Sequence, residues 1–245
     1  MNIVSAGIIS TTLVVFASFM TFGLIFFEPT PSRPILLSFD IVEDYNLPDW
    51  CIDLSKTLEK NNVKAAIFVT GKIAEKYPQC VQSFSDNIDI GSQTYNYVNL
   101  NSILDYTIQL EEVKLGKNVV DKIGNLDSKL FKAPYGNTDE NIYSILSRSG
   151  ILADFSYSNQ YNKFSENQFL KYNITSYNGA FHNAGFFKNL KFDAEPIMIN
   201  YNNETPVDEI DDLISKLKSD EIRFVSASDL TETELTRRIN VEVNV

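Results

Sequence analysis

Apolar residues along this chain fall into one long uninterrupted run, several short runs, and stretches with helical spacing, and each pattern predicts a different element. From Ile3 to Phe27 no charged residue occurs, and 25 residues at 1.5 Å rise suffice to cross the roughly 30 Å hydrocarbon core of a bilayer. Residues 1–27 are therefore expected to form a transmembrane anchor. The lack of a basic leading segment and the length of the run argue against a cleaved signal peptide. Residues 28–34 follow with three prolines in seven positions, which favours an extended, semi-rigid linker.

Beyond the linker the short runs and the helical stretches alternate. Pro34 to Phe39 is apolar except for Ser38 and ends at Asp40, the pattern of a buried strand with a polar group at its C-terminal tip. Leu54 and Leu58 predict a helix over 53–61, and 64–69 reads as the next buried strand. One helix is expected after Gly71, carrying Ile73, Ala74, Tyr77, Cys80, Val81 and Phe84, with a strand at 88–91. The alternation continues with a helix over 106–123, a strand at 129–131, a helix over 139–149 and a strand at 151–153. Residues 155–194 show little periodicity and predict loops and short strands. Strands at 196–199 and 223–225 and helices over 207–217 and 229–238 complete the chain. Residues 35–245 thus form one α/β domain, with a parallel sheet closed into a barrel and chemistry at the C-terminal strand ends.

Composition narrows the function. With 44% hydrophobic and 22% charged residues the domain is folded rather than disordered. The net charge of −11, without a Lys/Arg cluster, excludes a phosphate-backbone partner, so no nucleic acid is expected. The triplets Asn173-Ile174-Thr175 and Asn203-Glu204-Thr205, and two cysteines, suit an extracytoplasmic domain, although Arg33 just after the apolar run points weakly the other way. Cys51 and Cys80 leave a disulfide and a pair of buried thiols both open.

Five segments carry candidate chemistry: Ser38-Phe39-Asp40, Ala66 to Gly71, Ile90 to Leu100, Lys132-Ala133-Pro134-Tyr135-Gly136, and Asp154-Phe155-Ser156. In this order and spacing they resemble the polysaccharide deacetylase family, the NodB-homology carbohydrate esterases, over roughly Pro34 to Leu230. The resemblance implies a distorted (β/α) barrel. It also implies that active members hold a divalent metal with one Asp and two His, use a second Asp as base, and protonate the leaving amine from a third His.

This chain departs from that pattern. Asp40 matches the base, but Ile41 stands where the metal-binding Asp belongs, and Gln93 and Tyr97 replace the two histidines. Asn200, with Asn202 close by, stands where the third belongs, and the chain has a single histidine, His182. Lys132 replaces the Arg that would orient the base, keeping charge but not bidentate geometry. The resemblance therefore implies a degenerate member with Asp40 as a vestigial base, Lys132 beside it, and Gln93, Tyr97, Tyr135, Asn200 and Asn202 around the pocket. No metal or other cofactor is expected. The expected role is a membrane-anchored, extracytoplasmic structural subunit that binds a partner or a glycan at the cell envelope. The alternative is a divergent metal-dependent deacetylase of envelope polysaccharide, with Asp40, Glu43 and Asp44 offering oxygen donors to a hard cation. Trp50, Tyr95, Tyr97, Tyr135, Tyr157 and Tyr161 are aromatic candidates for sugar stacking around that pocket, although core packing accounts for most such residues.

Overall fold

The computed structural model describes residues 33–42, 45–136, 138–156, 170–171, 174–190, 196–218 and 222–234. The strands are β1 (Arg33–Ile41), β2 (Ala65–Val69), β3 (Ile88–Ser92), β4 (Leu130–Phe131), β5 (Ala153–Asp154), β6 (Leu170–Lys171), β7 (Thr175–Asn178), β8 (Ile197–Asn202) and β9 (Ile222–Phe224). The helices are α1 (Asp49–Asn61), α2 (Gly71–Lys76), α3 (Gln79–Gln82), α4 (Tyr106–Gly124), α5 (Glu140–Arg148), α6 (Ala184–Asn189), α7 (Val207–Leu217) and α8 (227–234).

Among the described residues every strand pairing is parallel, as strands separated by helical crossovers require. The sheet runs β6-β5-β4-β3-β2-β1-β8-β7, with β9 on the N-terminal end of β1. β6 and β7 are not paired with each other among the described residues, so the predicted barrel is here a parallel half-barrel. β1 is central. Its register runs from Leu37↔Ala65 to Ile41↔Val69 against β2, and from Ile35↔Ile197 to Asp40↔Asn202 against β8.

Strand alternation sorts the side chains into two layers. Ile35, Leu37, Phe39 and Ile41, with Ala65, Ile67, Val69, Ile197, Ile199 and Tyr201, pack outward against α1, α2, α3, α6 and α7. Leu36, Ala66, Phe68, Leu130, Ala153, Phe155 and Met198 fill the inner face. Toward the C-terminal end of the inner face the series turns polar, from Leu36 to Ser38 and Asp40 on β1 and from Met198 to Asn200 on β8. This places the candidate chemistry at the strand tips. A third apolar cluster, including Val113, Phe131, Ile142 and Leu146, fixes α4 and α5 beside β4.

The single helix expected after Gly71 is two, α2 and α3, broken at Pro78. Pro78 offers no N–H to the preceding turn and disfavours helical backbone at Tyr77, which has φ −130° and ψ 75°. α1 begins at Asp49, four residues before its predicted start, and β1 runs two residues past its predicted end because β2 and β8 pair with Asp40 from both sides. Cys51 and Cys80 form a disulfide tying α1 to α3, which resolves the open alternative.

No helix among the described residues is long and apolar enough to cross a membrane. The anchor predicted at 1–27 lies outside the described residues, as does most of the linker.

Candidate functional site

Asp40 ends the inner series of β1, and three donors converge on its carboxylate. Lys132, the residue after β4, places Nζ 2.9 Å from Oδ2, and Asn200 of β8 donates from Nδ2 to the same oxygen at 3.0 Å. Gln93, the residue after β3, donates from Nε2 to Oδ1 at 3.2 Å. Lys132 also donates to Ser38 Oγ at 3.1 Å and to Asn200 Oδ1. The Lys132 side chain is 1% exposed and that of Asp40 is 15% exposed. Burial pushes the Lys132 ammonium below its ordinary value, against the opposing pull of Asp40. The result is a buried ion pair braced by two amides and a hydroxyl.

Gln93 is held from behind by α4. A Cβ at Gly116 would stand 2.4 Å from the Gln93 carbonyl oxygen, so only glycine lets α4 lie this close to the backbone after β3. Gln93 Oε1 and Ser92 Oγ are buried without a hydrogen-bond partner, leaving acceptor capacity at the centre of the site that suits a small donor such as water. Beside Lys132, Ala133 N donates to Ser156 Oγ at 2.7 Å, and the Ser156 hydroxyl donates to Asp154, whose other oxygen accepts from Thr138 at 2.8 Å. Asp154 thus braces the loop that carries Lys132.

Tyr97 and Tyr135 pair with each other, their ring centroids 5.1 Å apart. Both have left-handed backbone, φ 59° and 60°, a conformation that costs a non-glycine residue on the order of 1–3 kcal/mol and clusters at functional sites. Tyr135 is 60% exposed and offers an open aromatic face.

Several predicted residues sit elsewhere. Asn202 does not join Asp40; its amide donates to Glu204 Oε2 at 3.0 Å and its carbonyl accepts from Glu204 N, so it closes its own turn. Trp50 is buried in the outer layer, bonded to Thr205 O at 2.7 Å, and Tyr95 bonds Glu75 at 2.7 Å on the surface. His182 stacks on Phe186 at 4.1 Å near α6. Asn203, the first residue of one glycosylation-type triplet, is fully buried, accepting from Val42 N and donating to Tyr45 O, so a glycan could be attached there only with the side chain displaced from this position. Asn173, Glu43, Asp44, Tyr157 and Tyr161 lie outside the described residues. In the sequence Ser38 stands out only as part of the Ser38-Phe39-Asp40 segment and Asn203 only as part of a triplet, with no role for either in the site, and Gly116 does not stand out. Of these only Ser38 carried a signal, sharing Asp40's strand face two residues away.

The described donors do not fit a divalent metal. Ile41 is wholly buried in the outer apolar layer, Tyr97 packs on Tyr135, and Gln93 turns its donor end to Asp40. The one carboxylate present already faces an ammonium, which a cation at the same oxygens would have to displace.

A family model for polysaccharide deacetylase matches residues 27–153. A peptidoglycan-N-acetylglucosamine deacetylase of Bacillus cereus is 27% identical over 117 residues, which is 47% of this chain and 41% of that protein. The fold is similar to that of a peptidoglycan deacetylase from Bacillus subtilis, with TM-score 0.62 and 18% identity, covering 86% of this chain and 96% of that one. It is also similar to a CE4 family pseudoenzyme from Bacillus anthracis, with TM-score 0.59 and 12% identity, covering 82% of this chain and 66% of that one. The matched residues run from β1 to the first residue of β5 and include Asp40, Gln93, Tyr97, Lys132 and Tyr135, and on that match this chain belongs to the polysaccharide deacetylase family.

Proposed function

We propose that this chain is a catalytically degenerate member of its family, anchored at the cell envelope by residues 1–27 and serving as a structural or partner- and glycan-binding subunit rather than a hydrolase. The observation that carries the reading is the engagement of both oxygens of Asp40, Oδ2 by Lys132 and Asn200 and Oδ1 by Gln93. A general base needs an oxygen free to meet the attacking nucleophile, whereas Asp40 is held by Lys132, Asn200 and Gln93 at 2.9 to 3.2 Å. Asn200, standing where the resemblance puts the general acid, is an amide with no titratable proton and is itself bonded to the ion pair. The disulfide between Cys51 and Cys80 supports an oxidising, extracytoplasmic setting. Tyr97 and the open face of Tyr135 support retained affinity for a sugar ring.

The test uses the full chain in detergent, dialysed against trace divalent ions. Its metal content is read by plasma mass spectrometry, and acetate release is read from acetylated peptidoglycan and chitin oligomers. The expected result is no stoichiometric ion and no acetate. One bound ion per chain, with release that disappears in Asp40→Asn, would sink the proposal and favour a divergent metal-dependent deacetylase.

A further inference from the structure

A second cleft lies on the opposite face of the sheet from Asp40. Tyr201 forms its floor and belongs to the outward series Ile197, Ile199, Tyr201 of β8, one position on from Asn200, so the two side chains leave the strand on opposite sides. One wall is the turn at Gly179–Phe181 with His182, the other is α7, and the open cleft between them, of about 510 Å³, is in the range of small-molecule sites. A Cβ at Gly179 would stand 2.1 Å from the Tyr201 Cζ, so the missing side chain is what admits the phenol to the cleft.

Two independent features describe what the cleft would take. The first is charge. Asp208, Glu209 and Asp212 line it against one ammonium, Lys216, which pairs with Asp212 at 2.5 Å, and Asp208 and Glu209 have no ion-pair partner among the described residues. Carboxylates in the first turn of α7 also complement the helix dipole, so charge alone decides nothing. The second is Tyr201. It is 3% exposed and stacks on Phe39 at 5.7 Å, and its hydroxyl, which bonds no described residue, is not among the fully buried unsatisfied atoms and so stays open to the cleft it lines. Burial, and then the neighbouring Glu209, push Tyr201 above its ordinary value, so it remains a neutral donor. Phe181, 81% exposed, supplies an apolar platform at the rim.

We infer that this cleft binds a small cation carrying a primary ammonium beside a hydroxyl, of the amino-sugar type. The ammonium meets Asp208 and Glu209, a ligand hydroxyl oxygen accepts from Tyr201, and the apolar face of the pyranose lies on Phe181. The site is separate from Asp40 and stands whether or not Asp40 takes part in chemistry.

The experiment is calorimetric titration of the full chain in detergent with glucosamine, with N-acetylglucosamine and ethanolamine as separate arms. Glucosamine is expected to bind saturably. Binding should weaken about tenfold in Glu209→Gln and in Tyr201→Phe, which keeps the ring stacked on Phe39, and should be unchanged in Glu111→Gln, an exposed carboxylate on α4. No saturable binding of glucosamine, or equal loss in Glu111→Gln, would overturn the site. Equal affinity for N-acetylglucosamine would overturn recognition of the cation, and equal affinity for ethanolamine would overturn the sugar ring as its carrier.

Discussion

Replacing Lys132 with Met tests the braced ion pair directly, because Met nearly conserves volume and leaves little cavity to account for. The substitution removes donors to Asp40, Ser38 and Asn200, two of them held at 2.9 and 3.1 Å, and leaves a carboxylate that is 15% exposed facing only two amides. Stranding one member of a fully buried pair costs about 3–5 kcal/mol, and Asp40 keeps Asn200 and Gln93, so the expected loss is at the lower end, about 3 kcal/mol. With Asp40→Asn added, no charge is left behind and the loss should fall to about 1 kcal/mol, about 2 kcal/mol less than in the single variant. Urea unfolding followed by circular dichroism reads all three stabilities. The pH dependence supplies a second reading with a fixed sign. Burial holds the folded Lys132 below its ordinary 10.5, so the folded state sheds this proton first, and stability rises with pH between the lowered value and 10.5. Lys132→Met should lose that rise. A single-mutant loss under about 1 kcal/mol with no recovery in the double variant would refute the reasoning, since a buried charge cannot be stranded that cheaply.

Three further expectations follow from other parts of the fold. Lys129 and Lys117 bond the Asp127 carboxyl at 2.6 and 2.9 Å and hold it at about 2, so its contribution is complete above its ordinary 3.8 and is lost as pH falls through about 2; a carbon-13 NMR titration should find that midpoint and see it move up in Lys129→Met. The disulfide joins residues 29 apart in sequence, and a Cys51→Ala/Cys80→Ala double variant should lose about 3–4 kcal/mol in urea unfolding, while alkylation of the unmodified chain should add mass only after reduction. Gly116→Ala would bring a methyl within 2.4 Å of the Gln93 carbonyl oxygen, a backbone atom that cannot swing aside; about 1–3 kcal/mol of destabilisation is expected, with amide shifts concentrated at Gln93, Thr94 and Tyr95, and an unperturbed spectrum there would refute the packing argument.

What could be read in advance was whatever depends on local order. The alternation of β1 is visible in Leu36, Ser38 and Asp40 against Ile35, Leu37 and Phe39, and it is enough to put Asp40 on a strand tip with its outer neighbours in the core. The break at Pro78 was equally local and could have been read from the proline itself. Partners far apart in sequence were not accessible. Asn200 reaches Asp40 across 160 positions, and Asn203 reaches Val42 across 161, because parallel pairing of β1 and β8 brings them together, and nothing near either asparagine in sequence signals it. The same reason explains why Asn202 was grouped with Asn200. Two residues apart on a strand they share a face, but the turn that follows offers Asn202 the nearer partner, Glu204.

The outer layer also makes change at this site directional. Ile41 is the last residue of the outward series of β1 and is wholly buried among apolar neighbours. A carboxylate arriving there by a single substitution would carry a desolvation penalty of several kcal/mol, set by the surrounding core, before any ion was present to offset it. Under the proposed reading, a carboxylate at position 41 would serve a metal only with ligands also at positions 93 and 97 and with its side chain turned away from the core. Each of those changes is unfavourable or neutral alone. Under the proposed reading of a degenerate member, the hydrophobic layer that stabilises the sheet acts as a ratchet, making loss of a metal ligand at position 41 far easier than its return.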